Sequence, residues 1–171
     1  DQKNISHQLK DKYKENSPFP NIVIDNFFEE QFLNKVLEEF PDLSKNKFTQ
    51  EYQNKDEVKF ANNDYKNFPK NIKILIDFMN SNEFIEFLQN ITSIKEKLIS
   101  DHELNGGGLH EIKSGGYLKV HTDFNKHPNL ALDRRVNILI YLNKNWKEDY
   151  GGDLQLWDKN MENCEKKIFL I

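Results

Sequence analysis

Apolar positions change their spacing after about residue 105. Before it they recur at the three- and four-residue intervals of amphipathic helices. In Glu29 to Phe40, the side chains of Phe32, Leu33, Val36, Leu37 and Phe40 share one face, and Pro41 closes the helix. Pro69 stands at the first turn of a second helix that carries Ile72, Leu75, Ile76 and Met79. Ser81 or Asn82 caps a third, with Phe84, Ile85, Phe87 and Leu88. Ile5 to Glu15 reads as a short surface helix broken at Ser17-Pro18-Phe19-Pro20. Asn21 to Asp25 reads as a strand, and the polar, aperiodic residues 42–68 as a long excursion with short strands. Each helical stripe is first of all a face for core packing.

Beyond residue 105 the period becomes two. Leu109 to Ile112, Tyr117 to His121, Val136 to Leu142, Leu154 to Trp157 and Ile168 to Ile171 are expected strands. All seven glycines lie here, at 106, 107, 108, 115, 116, 151 and 152. Glycine supplies turns and close backbone approaches, so a helical first part and a β-rich second part are expected. Short strands with Gly-rich turns point to a sandwich or barrel. Gly106-Gly107-Gly108 lacks the pattern of a phosphate loop, and there is no internal repeat.

Composition narrows the class. With 171 residues, 37% hydrophobic and 30% charged, the chain suits one domain over 1–171. Within it, 1–103 forms a mainly helical support and 104–171 the β core. Thirteen Phe against two Trp predict a Phe-rich core. A net charge of −4 gives no bulk attraction to nucleic acid or anionic membrane. The one cysteine, Cys164, excludes an internal disulfide framework and a Cys-rich zinc site. No apolar run approaches the ~20 residues of a membrane span, and Asp1 to Glu15 does not read as a signal peptide, so a soluble cytoplasmic protein is expected. Arg134 and Arg135 are the only arginines in a Lys-rich chain.

The chemistry concentrates in Gly115-Gly116-Tyr117-Leu118-Lys119-Val120-His121-Thr122-Asp123-Phe124. Residues two apart in an extended chain project to the same side, so His121 and Asp123 converge. An imidazole nitrogen and a carboxylate oxygen so placed make two ligands of a facial metal site, which a further His completes. His-x-Asp alone is a weak motif. Its context is Arg134-Arg135-Val136-Asn137-Ile138-Leu139-Ile140-Tyr141-Leu142-Asn143, then Trp146, then Gly151-Gly152-Asp153-Leu154.

In that order these residues resemble the 2-oxoglutarate- and Fe(II)-dependent oxygenases of the prolyl-4-hydroxylase-like group, over roughly 104–171. The opening Pro18-Phe19-Pro20-Asn21-Ile22-Val23-Ile24-Asp25 resembles the usual entry of such proteins. The resemblance implies an α+β fold, with N-terminal helices packed on a double-stranded β-helix (a jelly-roll, cupin-like core). It implies Fe(II) and 2-oxoglutarate as cofactor and cosubstrate, with ascorbate as a candidate addition, and hydroxylation of a prolyl or other protein side chain. It makes His121 and Asp123 iron ligands and Tyr141 the partner of the cosubstrate's far carboxylate. Asn137 shares strand parity with Tyr141, Leu154 matches an apolar wall of the cosubstrate site, and Leu118 is a further pocket candidate. Without the motif order, Tyr141 and Leu154 would read as core residues.

The family's distal His and the basic residue beyond it have no counterpart, since the last histidine is His127. The expectation is a C-terminally truncated version of the domain that lacks its last strands, with activity of this chain left open. His127 reads as a solvated loop histidine, while His110 faces either the core or the pocket. His7 and His102 are assigned nothing. The competing reading is a non-catalytic jelly-roll module that pairs through an open sheet edge, as in a homodimer. A cupin-like metal protein of other chemistry is the third. The expected partner is a protein or peptide substrate, with no nucleic acid and no membrane.

Overall fold

A computed structural model describes residues 2–169, and their side chains from residue 8 onward. The helical stripes fold as α1 (Gln2–Glu15), α2 (Glu30–Glu38), α3 (Lys70–Met79) and α4 (Asn82–Thr92). Ser81 caps α4, its hydroxyl accepting the Phe84 N–H at 3.2 Å. Pro69, the residue preceding α3, has no side-chain acceptor to offer. Glu39, just past the end of α2, supplies one instead. Its carboxylate accepts the Asn71 backbone N–H at 2.7 Å and the Asn71 side-chain amide at 2.6 Å. One carboxylate thereby satisfies the start of α3 and fixes it to α2.

The main sheet is built around β2 (Glu57–Asn62). On one edge it pairs antiparallel with β1 (Gln50–Gln53), Gln50 opposite Ala61. The other edge is shared: β3 (Leu109–Glu111) pairs with residues 60–62 and β4 (Tyr117–Leu118) with residues 57–58. Residues 109–118 are thus one extended run interrupted by a loop at 112–116. Gly108 enters this run at φ +95°, and a Cβ there would lie 2.3 Å from the Asn62 carbonyl oxygen. Only glycine permits both the dihedral and the approach. A separate hairpin joins β5 (Leu154–Trp157) to β6 (Cys164–Ile168) and is tied to the N-terminal region by Lys166 Nζ donating to Asn21 Oδ1 at 3.0 Å.

The core lies between the helices and one face of the main sheet. Val36 from α2, Ile72 and Leu75 from α3, and Leu43, Phe68, Leu104 and Leu109 make one buried cluster. Phe60, Ile140 and Leu142 pack against it. Val36, Leu43 and Ile72 are each only 1% exposed, so each contributes roughly 1.5–3 kcal/mol. Residues on both sides of position 104 build this cluster, and the Gly-free part supplies both β1 and β2. The short strands expected within 42–68 are β1 and β2, and because β2 is the central strand of the main sheet the β framework is not confined to the glycine-rich second part. Tertiary pairing, which local glycine content does not report, decides where strands form.

The architecture is α+β with antiparallel sheets. Among the described residues the strands form a four-stranded and a two-stranded sheet, and these do not close into a double-stranded β-helix. Val136 to Leu142 is extended, with Val136, Ile138, Ile140 and Leu142 half-buried and Asn137, Leu139 and Tyr141 exposed. Among the described residues it joins no ladder. Asn21 to Asp25 likewise has no strand partner among the described residues. The expected strand at 168–171 is realised as β6 up to Ile168, and Leu170 and Ile171 lie outside the described residues.

Gly108→Ala should lower the unfolding free energy by roughly 2 kcal/mol or more, measured by urea denaturation. A loss below half of that would mean the Gly108–Asn62 approach is looser than drawn.

Candidate functional site

Alternation along β2 separates two environments. Val58, Phe60 and Asn62 share the side on which Phe60 meets the core, while Glu57, Lys59 and Ala61 turn to the opposite face. There they floor a groove of about 700 Å³ with Tyr52 of β1 and Leu118 of β4. His110 stands opposite Ala61 in the ladder and opens onto the same groove, which decides its side. His121 and Asp123 stand at the groove as well.

The backbone delivers these two residues in a definite way. After Leu118 the chain leaves β2 with one last bond, Lys119 N–H to the Asp56 carbonyl at 2.9 Å. Residues 125–134 then fold back on themselves, through an antiparallel bridge between Lys126 and Asp133 and through Arg134 N–H donating to the Asn125 carbonyl at 2.8 Å. The chain so returned runs back past residue 123, and the Asn137 side-chain amide donates to Asp123 Oδ2 at 2.9 Å.

His121 Nδ1 lies 2.7 Å from the Lys119 carbonyl oxygen, which can only accept. The ring proton therefore sits on Nδ1, and Nε2 keeps its lone pair. Nε2 is 3.7 Å from Asp123 Oδ1, the carboxylate oxygen that Asn137 leaves free. Both side chains are about half exposed. An imidazole whose far nitrogen is oriented by a backbone carbonyl, beside a carboxylate oriented by an amide, is a donor set that fits Fe(II) at two positions. Among the described residues no cluster of three or more His, Cys, Asp and Glu stands close enough to hold a metal.

His127 does not fill the third place. Its Nδ1 accepts the backbone N–H groups of Asn129 and Leu130 at 3.2 and 3.1 Å, and its Nε2 lies 2.8 Å from the Asn105 amide nitrogen. With Nδ1 held by two backbone N–H groups and the side chain 12% exposed, it scaffolds the turn at 127–130 and is not the solvated histidine expected from sequence. His102 lies 2.9 Å from the Ser100 hydroxyl, and the side chain of His7 is outside those described.

Of the expected cosubstrate residues, Leu118 lines the groove and Asn137 touches Asp123. Tyr141 and Leu154 do not line it. Tyr141 shares the exposed side of its segment with Asn137 and Leu139, and partial burial holds its phenol above its ordinary pKa, so it remains a donor at neutral pH. Leu154 is engaged in the second hairpin opposite Ile168.

Residues 42–68 supply the groove floor. Lys59 pairs with Glu57 at 2.9 Å and sits 5.1 Å from the Tyr52 ring centre. The Lys59 ammonium holds the Glu57 carboxyl below its usual range. The sequence signal was available in the alternation Glu57-Val58-Lys59-Phe60-Ala61-Asn62, but not the partner that makes it a groove floor.

His110 keeps an exposed face, yet desolvation by the groove around its ring, and secondarily the charge of Lys59, push its pKa down. The folded protein thus favours the neutral ring. The unfolded imidazole titrates near ~6.5, so stability linked to His110 is full above that pH and declines as pH falls toward the folded value. NMR titration should find His110 below the ordinary imidazole range, and Lys59→Met should move it upward. A His110 pKa at or above the ordinary value would contradict its placement in the groove.

No solved structure matches this chain significantly. Residues 107–169, the stretch that carries His121, Asp123 and Asn137, match the family model of the 2OG-Fe(II) oxygenase superfamily, which implies Fe(II) and 2-oxoglutarate and supports an oxygenase-type function.

Proposed function

We propose that the groove is the active site of an Fe(II)- and 2-oxoglutarate-dependent dioxygenase that hydroxylates a protein side chain, with prolyl the first candidate. The observation that carries this reading is the pairing of His121 Nε2 with the free Asp123 Oδ1, inside the stretch that matches the oxygenase family. His121 and Asp123 would hold the iron. When bound, it supplies the oxidising power for breaking a C–H bond, using O₂ and electrons from the cosubstrate.

The chain's own residues supply orientation. The Lys119 carbonyl fixes the imidazole tautomer, and the Asn137 amide leaves one carboxylate oxygen free. In the proposed assignment the side shared by Asn137, Leu139 and Tyr141 receives the cosubstrate. The Tyr141 phenol donates to its far carboxylate there, and Leu154 belongs to the apolar wall of the cosubstrate site. Leu118 and the β2 face form the side toward the substrate. The groove is lined by Tyr52, Glu57, Lys59 and Leu118, a mixed surface that suits a side chain presented on a peptide. With two protein donors, metal affinity is modest, because it scales with ligand number and preorganisation.

A second reading is favoured by one feature. Among the described residues the extended Val136–Leu142 segment has no ladder partner, so its backbone groups can pair with a strand from a second copy of the chain.

Calorimetric titration with Mn(II), followed by 2-oxoglutarate, separates the two. The enzyme reading expects 2-oxoglutarate binding that requires Mn(II), and Asp123→Ala should weaken Mn(II) at least about tenfold. Metal binding indifferent to Asp123→Ala would refute it. Tyr141→Phe should weaken 2-oxoglutarate by about tenfold, the worth of one hydrogen bond to a charged group, with Mn(II) affinity unchanged. An unaltered cosubstrate affinity would remove Tyr141 from the site.

A further inference from the structure

We propose that Arg134 and Asn137 form a positioning pair that sets which oxygen of Asp123 is presented to His121. The inference rests on the reading of His121 and Asp123 as metal ligands and adds a second layer to it. An asparagine amide can face a carboxylate usefully in only one of its two orientations, with the NH₂ group forward. Nothing in Asn137 itself selects that orientation, since a flip exchanges two groups of nearly equal shape.

Arg134 selects it. Its Nη2 donates to Asn137 Oδ1 at 3.0 Å. A guanidinium carries donors only, so the amide oxygen must face Arg134 and the NH₂ must face Asp123 Oδ2, which it meets at 2.9 Å. Oδ2 is thereby occupied. Oδ1 is left toward His121 Nε2 at 3.7 Å, with Arg134 Nη1 also 3.7 Å away, beyond hydrogen-bond reach. The guanidinium lends positive charge to the carboxylate without capping the free oxygen.

The arginine is itself held. Its guanidinium carbon lies 4.6 Å from the centre of the Phe124 ring, and its side chain is 21% exposed. Space for this stack exists because residue 106 is glycine. At its φ of +68°, a Cβ would come within 2.6 Å of the Phe124 ring edge. The adjacent Arg135 takes a different course and pairs with Glu96 at 3.1 Å. The two arginines therefore do different work, and only Arg134 reaches the site.

The test is a double-mutant cycle read as Mn(II) affinity, by EPR counting of free Mn(II), with Asp123→Ala as the control. Arg134→Met and Asn137→Ala should each weaken Mn(II) about tenfold, in the range found for partners of metal ligands. The double variant should be no worse than either single one, because both remove the same constraint. Arg134→Lys should recover part of the loss, and thermal midpoints should change little. Additive losses, or no loss in variants of a protein whose Mn(II) binding Asp123→Ala abolishes, would overturn the pair while leaving the metal reading intact. If Asp123→Ala leaves Mn(II) binding unaltered, the metal reading fails. The pair is then judged on the metal-free protein, where the Asn137 amide protons should be split by the bond to Asp123 and collapse toward free-amide values in Arg134→Met. Unchanged amide signals would overturn it.

Discussion

Strand β2 is the constraint on which the molecule depends, because both of its edges and both of its faces are in use. One face meets the helical core through Phe60, and the other floors the groove through Glu57, Lys59 and Ala61. A one-residue slip in its register would exchange these faces, placing Lys59 against Ile72 and Leu75 and Phe60 in water. Burying an unpaired ammonium costs far more than any contact in the groove returns. The antiparallel register with β1, β3 and β4 is therefore fixed by the core. Gly108 reinforces it with an approach to Asn62 that no other residue allows.

From that register the site follows by short steps. β4 and the Lys119–Asp56 bond aim the chain past the groove, and the fold-back of 125–134 returns it so that residue 137 meets residue 123. Each polar group at the site then has its direction set by a neighbour that can play only one role. A carbonyl sets the imidazole proton, a guanidinium sets the amide, and the amide sets the carboxylate. This preorganisation matters more than the charge count, since groove charges are largely matched in the Lys59–Glu57 and Lys119–Asp56 pairs.

What could be read from sequence was local. The faces of α2, α3 and α4 follow from a period of 3.6 within single segments, and the Ser81 cap from one residue type at a helix start. The expected strand Tyr117 to His121, by contrast, is realised only as Tyr117–Leu118, and His121 and Asp123 approach one another beyond a bend at Val120. What escaped was pairing. The alternation of Val136 to Leu142 separates Asn137, Leu139 and Tyr141 from the core-facing side, yet alternation cannot say whether the segment finds a ladder partner, and among the described residues it has none. The groove floor escaped for the same reason, because Lys59 joins His110 only through the β2–β3 register. His127 looked solvated because its partners, the 129 and 130 amides and Asn105, are declared only by the turn they make.

The central claim is that His121 Nε2 is a metal donor. Pulsed EPR of the Mn(II)-loaded protein tests it directly, through the nitrogen coupling of a coordinated imidazole. The account predicts coupling from one histidine that disappears in His121→Ala and survives in His110→Ala. Coupling that persists without His121, or that vanishes with His110, would contradict it.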